Sequence, residues 1–347
     1  MSASQLPSDL VFPQPVPPQP GEFREIAPGI LWLRLALPFA LDHVNIYLID
    51  DGDGWAVLDT GIADLRTRTV WQELLAGGLG GRKLTRLILT HYHPDHLGLA
   101  GWMTGDLGLE LWMTEVEYTA GRNAHRLLDE EGRAVHRRFF ETHGMNEETI
   151  KGAMGRGTGY MKMTTGLPDR YTPLVAGETI RIGGRDFEIH TGGGHAPNQA
   201  MLLCRAERLF LAADQVLARI SPNVSVWPTE PNSDPLANYL RSLGELRARI
   251  PDDVFAMPAH NLPFYGLHTR IDALRTHHEH RCNDIIAACS RPLTTSEVLP
   301  VLFPRLLDAH QVGFAFGEVL AHINYLANRG ALAPQVDKAG VIRFERT

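Results

Sequence analysis

A chain of 347 residues with 33 basic and 40 acidic side chains, formally −7 at neutral pH, is long enough for one large domain or two. That balance argues against a nucleic-acid or anionic-membrane surface, and Cys204, Cys282 and Cys289, an odd set without a C-x-x-C pair, indicate neither a disulfide framework nor a thiolate metal site. No apolar run approaches the roughly 20 residues that span a bilayer and no basic-then-apolar leader opens the chain, so a cytoplasmic location without membrane contact is expected.

In chain order, residues 1–20 are polar and proline-rich, with Pro13, Pro15, Pro17, Pro18 and Pro20, and are expected to form an extended or disordered arm. Residues 21–290 form the main body. Short apolar strands are expected at Ile30–Leu35, Val44–Ile49 and Trp55–Leu58, with Asp51-Gly52-Asp53-Gly54 as a hairpin turn. Asp59 ends the third strand and either orients a ligand histidine from behind or caps the following helix. That helix, Leu65–Leu75, is stopped by Gly77 and Gly78.

A second apolar run, Leu87–Leu89, leads into Thr90-His91-Tyr92-His93-Pro94-Asp95-His96-Leu97-Gly98, with three histidines and a carboxylate inside six positions. Imidazole nitrogens and carboxylate oxygens are what zinc, iron or manganese accepts, and ligands this close converge only where the backbone turns sharply. The motif would sit at the carboxyl end of its strand, where α/β layers place their chemistry. Residues 115–172 then break the rhythm with helices expected at Glu117–Asp129, Gly132–Thr142 and Glu147–Met154 and a loose glycine stretch before Tyr160. An insertion placed between metal motifs reads as a lid or substrate wall.

Strands resume at Thr179–Ile182 and Asp186–Thr191, where Gly192-Gly193-Gly194 lets the backbone approach closely and aim His195 inward. A hairpin, Met201–Cys204 with Leu209–Leu211, ends at Asp214, whose carboxylate would be costly behind a buried strand unless a metal took it. A helix over Asp234–Ile250 and a strand over Val254–Met257 precede His260 at one more strand end.

His91, His93, Asp95, His96, His195, Asp214 and His260 thus all fall at or just beyond strand ends, and the pattern resembles the metallo-β-lactamase-fold hydrolases, glyoxalase II-like enzymes being nearest in motif style. The resemblance implies an α/β fold, a four-layer αββα sandwich with the site at one edge of its two sheets. It implies two divalent ions, zinc first and iron or manganese otherwise, with His91, His93 and His195 on one, Asp95, His96 and His260 on the other, and Asp214 bridging. Two such ions about 3.5 Å apart share one hydroxide, which attacks a carbonyl or phosphoryl centre. Asp95 is in addition a candidate to steer the water or accept its proton. His43, in an early loop, Tyr92, in the motif, and Tyr160 are candidate substrate contacts.

Residues 291–347 are read as a separate C-terminal piece: a capped helix from Thr294 or Thr295, a second helix from Phe316 or Gly317 to Asn328, and a strand pair near Ala331–Leu332 and Val341–Phe344. This resembles the winged-helix appendage of some superfamily members. Its basic and acidic residues nearly balance and its second helix has no basic stripe, so packing beside the site or homodimerisation is expected rather than DNA binding. The expected function is a dinuclear hydrolase that uses a metal-bridging hydroxide on a small thioester, ester or lactone. A phosphodiesterase or nuclease of the same fold, a mononuclear iron sulfur oxygenase and a winged-helix DNA-binding regulator are the rival readings.

Overall fold

Alternation along the strands dictates the layers. In the strand Ile30–Ala36, Leu31, Leu33 and Leu35 face one side and Ile30 and Trp32 the other, and both sets are buried, so the strand needs cover on two faces. A computed structural model supplies both covers and describes residues 9–124, 130–154, 162–305 and 307–347.

One sheet runs in the order β1 (Phe23–Ala27), β2 (Ile30–Ala36), β3 (His43–Asp50), β4 (Gly54–Leu58), β5 (Lys83–Ile88), β6 (Glu110–Met113) and β7 (Thr172–Pro173). It is antiparallel from β1 to β4 and parallel from β4 to β7. The other contains β8 (Thr179–Ile182), β9 (Arg185–Gly192), β10 (Gln199–Cys204), β11 (Leu209–Ala213) and β12 (Phe255–Pro258) in the order β12-β11-β10-β9-β8. Ile30, Trp32, Tyr47 and Ile88 of the first sheet meet Phe187, Ile189, Leu202 and Leu211 of the second in an apolar layer between them. Outside the first sheet, Leu31, Leu33 and Leu87 pack on Trp71 of helix α1 (Leu65–Glu73) and on Leu97 and Met103 of α2 (Pro94–Leu97) and α3 (Ala100–Gly105). The inserted region contributes α4 (Glu115–Ala124), α5 (Glu130–Thr142) and α6 (Glu147–Met154). Outside the second sheet, Met201, Leu203 and Phe210 pack on Leu236 and Leu243 of α7 (Pro235–Arg249) and Ile271 and Leu274 of α8 (Leu267–Ala288). Helix, sheet, sheet and helix are the four αββα layers.

The C-terminal piece consists of α9 (Thr295–Leu302), α10 (Ala309–Ala327) and the hairpin β13 (Leu332–Val336) with β14 (Ile342–Arg346). Thr294 and Glu297 form the expected capping box. Helix α10 starts about two turns before Phe316 or Gly317, where its sequence places the start, and at Gly317 it meets Ser225 and Val226: a Cβ there would lie 2.9 Å from the Val226 carbonyl. Phe316, Val319, Leu320 and Ile323 are fully buried, so this helix packs these residues into the protein. Phe139 and Phe140 of α5 pack edge-on against Phe316, so the inserted helices dock on the C-terminal piece.

The proline-rich arm is packed on the protein where it is described: Leu10 is buried, Val11 exchanges two backbone hydrogen bonds with Tyr265, and Phe12 packs on Phe264. Strand β1 went unread because Phe23, Arg24 and Glu25 are exposed on a sheet edge and are ordered by backbone pairing with β2, not by an apolar pattern.

Beneath the C-terminal helix, His322 Nδ1 donates to the Glu318 carbonyl at 2.8 Å, which leaves its Nε2 to accept from His278 Nδ1 at 3.0 Å. Burial pushes His322 down to about 3 and His278 well below the ordinary 6.5, so both are neutral in the fold. The unfolded chain takes up these protons below pH 6.5 and the folded chain does not, so their contribution is complete above 6.5 and is lost as pH falls toward 3. At pH 5 the loss for His322 is about 2 kcal/mol. Thermal midpoints measured from pH 7.5 to 5 should fall steeply below 6.5, and His322→Asn should flatten that slope.

Candidate metal centre

The site residues occupy the carboxyl ends of five strands. Asp59 follows β4, the His91–His96 motif follows β5, His195 follows β9, Asp214 follows β11 and His260 follows β12. Tight turns aim them inward. Four non-glycine residues have positive φ among the described residues, and Asp59, Ala213 and Asn261 are three of them, each at or beside a site residue. Gly194 has φ +111°, and a Cβ there would lie 2.4 Å from that of Tyr239, so only glycine lets the loop carry His195 this close to α7.

Two nitrogen and oxygen clusters result. In the first, His93 Nδ1 lies 3.0 Å from both His91 Nε2 and His195 Nε2. In the second, His260 Nε2 lies 3.3 Å from Asp95 Oδ2, and His96 Nε2 lies 3.5 Å from the same oxygen. Asp214 Oδ2 stands between them, 3.2 Å from His195 Nε2, 3.4 Å from His260 Nε2 and 3.7 Å from His96 Nε2. Groups able to hold an ion are His91, His93 and His195; His91, His96 and Asp214; and Asp95, His96 and His260.

Outward hydrogen bonds set the tautomers. His195 Nδ1 donates to the Asn223 carbonyl at 2.8 Å and His260 Nδ1 to the His43 carbonyl at 2.7 Å. A carbonyl accepts only, so both rings turn an unprotonated Nε2 inward when neutral. His96 Nδ1 donates to Asp59 Oδ2 at 2.8 Å, and Thr90 Oγ1 links Asp59 to His91 Nδ1 with contacts of 2.8 and 2.9 Å. Bare Nε2 atoms of His91 and His195 therefore converge on His93 Nδ1.

This arrangement suits a cation. Burial and the neighbouring imidazoles push His91 well below its ordinary value, and burial pushes His93 to about 3, so both keep their lone pairs. Burial would also lower His96 and His260, but the surrounding carboxylates outweigh it, holding His96 well above its ordinary value and His260 at about 10. Without a metal the second cluster must take up protons instead. His96 Nε2 and Asp214 Oδ1 are buried without a hydrogen-bond partner, which is costly for polar atoms unless an ion meets them.

A family model for the metallo-beta-lactamase superfamily matches residues 40–260, and one for a metallo-beta-lactamase-like C-terminal domain matches 282–347. This chain belongs to the metallo-beta-lactamase superfamily. A beta-lactamase domain protein from Burkholderia ambifaria is 38% identical, with a TM-score of 0.89 over 97% of this chain and 98% of that one. A metallo-beta-lactamase family protein from Thermus thermophilus is 30% identical, with a TM-score of 0.79 over 93% of this chain and 100% of that one. The probable metallo-hydrolase YqjP of Bacillus subtilis (strain 168) is 24% identical over 87% of this chain and 93% of its own length. The structure is the superfamily's sandwich, with a His and Asp cluster for divalent metal at its edge and the C-terminal domain attached.

Within this superfamily frame the remaining candidates separate. His43 is buried, its Nδ1 donating to Asp42 at 2.6 Å and its Nε2 accepting from the Asn261 N–H at 2.9 Å. Burial lowers it to about 4, and its role is to hold the 258–261 loop and, through its carbonyl, the His260 ring. Asn45 Nδ2 and the Tyr47 hydroxyl donate to the Pro258 carbonyl and brace the same loop. Tyr92 lies half-buried, its ring 4.8 Å from that of His93, and packs on the apolar layer outside the first sheet. Tyr160 lies outside the described residues. Asp59 lies behind His96 and Thr90 and does not cap α1, since Asp64 does that through Thr67 N–H. The scattered histidines behave as packing residues: His136 and His143 donate to the carbonyls one turn back, at 2.8 Å each.

Glu117 was not legible in the sequence. It is fully buried in the first turn of α4, and its two oxygens accept from Tyr92 N–H at 3.1 Å and Asn198 N–H at 2.5 Å. It thereby ties the loop of His91–His96 to the loop of His195. Burial lifts its carboxyl to about 7. Glu117→Ala should leave two backbone N–H groups unmatched, at roughly 1–3 kcal/mol each, in chemical denaturation. Glu117→Gln, which keeps one acceptor, should lose about half as much.

Proposed function

We propose that the chain is a dinuclear metal-dependent hydrolase that cleaves a carboxylic acid derivative: a thioester, ester or lactone of modest size. One observation carries this reading. A single carboxylate oxygen, Asp214 Oδ2, faces His195 of one cluster and His96 and His260 of the other at 3.2–3.7 Å. His91, His93 and His195 would hold the first ion, Asp95, His96 and His260 the second, and Asp214 both. Zinc is the ion proposed, with iron and manganese also suited to His and Asp; bound there, such ions polarise a substrate oxygen and acidify water toward neutral pH.

The chain's own groups do the rest. Asn223 and His43 carbonyls, Thr90 and Asp59 hold four imidazole rings at fixed angles and in the tautomer that leaves Nε2 bare. Asp95 is the more open of the two carboxylates that meet His260, its side chain 21% exposed against 6% for Asp214, so it can pass a proton from a water at the site to solvent.

The relative named a probable metallo-hydrolase supports hydrolysis. The net charge of −7 and the buried α10 support a small-molecule substrate over nucleic acid. Metal-replete protein assayed on thioesters, esters, lactones and bis-p-nitrophenyl phosphate tests the bond type, and elemental analysis tests the ion count. Turnover of the phosphodiester alone, or one ion per chain at saturation, would sink the reading.

A further inference from the structure

The segment Ile220–Val226 has no regular secondary structure, yet its Asn223 carbonyl is what His195 Nδ1 donates to, at 2.8 Å. The position of that carbonyl depends on what holds the segment. Arg270 of α8 fixes one end, donating to the Leu217 carbonyl at 2.6 Å and the Ile220 carbonyl at 2.8 Å. The other end is held by the C-terminal domain. Asn223 Nδ2 donates to Glu318 Oε2 at 3.3 Å, while Asn223 Oδ1 accepts from the Ser225 hydroxyl at 2.6 Å, which sets the amide's orientation. Val226 N–H donates to the Gly317 carbonyl at 3.1 Å, at the point where only glycine fits.

Glu318 is itself anchored. Its Oε1 accepts from Arg281 Nη1 at 2.6 Å, both side chains are buried, and the Arg281 guanidinium stacks 4.7 Å over Phe303. Stability alone does not account for such a pair, since apolar residues of similar volume usually serve a core as well or better. What the pair supplies is direction: the guanidinium fixes one carboxylate oxygen and so aims the other at Asn223.

We propose that Glu318 is a positioning residue for the metal centre, acting through Asn223 on the ring of His195, so that the C-terminal domain is part of the metal site and not an appendage. The inference rests on the reading of His195 as a ligand. A carbonyl displaced by the loss of Glu318 would leave the His195 ring free to turn, and one ion would lose a fixed donor while the other kept all of its own.

Stepwise zinc uptake by the full chain, measured in competition with a chromophoric chelator, tests this. Asn223→Ala and Glu318→Gln should each weaken one zinc-binding step by roughly 10–100-fold and leave the other unchanged. Phe316→Leu, a core change in the same helix with no bond to Asn223, should leave both steps unchanged. Should Glu318→Gln fail to fold by circular dichroism, Asn223→Ala, at a residue that is itself partly exposed, carries the test. Two-step wild-type binding with unaltered variants, or both steps weakened together in the two variants, overturns the proposal alone. Wild-type protein that takes up no zinc overturns the metal reading and this proposal with it.

Discussion

Asp214→Ala is expected to remove at least one of the two proposed ions and to lower kcat/KM by more than about 100-fold, the upper end of what losing a group behind a ligand costs. The residue is buried at the end of β11, and its backbone N–H is held by Gln199 Oε1 at 3.1 Å, so the carboxylate is aimed before any ion arrives. Gln199 is fixed in turn by Gln215, 2.5 Å away. With the carboxylate gone, the inward lone pairs of His195 and His260 face a space without negative charge, and the two clusters lose their common oxygen. Asp214→Asn keeps the shape and removes the charge, so it should retain more metal than Asp214→Ala yet stay well below wild type. Elemental analysis and steady-state kinetics on both variants check this; either variant within tenfold of wild type would count against a bridging role.

The second large effect is expected at Asp59, which touches no proposed ion. Its carboxylate accepts from the Thr90 N–H at 2.8 Å, from the Thr90 hydroxyl at 2.8 Å and from His96 Nδ1 at 2.8 Å, and it is 1% exposed. It selects the His96 tautomer and, through Thr90, steadies His91. Asp59→Asn would turn an amide N–H toward at least one of these donors. The ring of His96 could then keep its Nδ1 bond only by giving up its angle, or else carry its proton on Nε2, where it would point into the site. Metal affinity or kcat/KM should fall by roughly 10–100-fold, the range typical of groups that orient ligands. Circular dichroism should show an intact fold. A loss confined to stability, with metal affinity unchanged, would make Asp59 a packing residue only.

The candidate ligands were legible because each carries its chemistry in its residue type and sits where an apolar run stops. His91, His93, Asp95 and His96 crowd one loop, and His195, Asp214 and His260 each follow a strand with the period-2 or fully apolar pattern of a buried sheet. The partners of His43 were not legible: both of its ring nitrogens are bonded within the protein, one of them to a backbone N–H 218 positions away. Edge strand β1 and the true start of α10 escaped notice because exposed polar residues and glycines mask elements that are set by pairing and close packing.

By itself, then, the amino-acid sequence determined the kind of chemistry: which residues can give lone pairs to a metal and their order along the chain, the αββα layering being implied only by the family resemblance those residues carry. Tertiary structure alone decided how those donors are held. Glu117 meets Asn198 across 81 positions and Asn223 meets Glu318 across 95, and neither pairing has a local signature. A buried carboxylate's role depends on the N–H or guanidinium that folding brings to it, and that partner is set by packing over the whole chain, not by spacing along it.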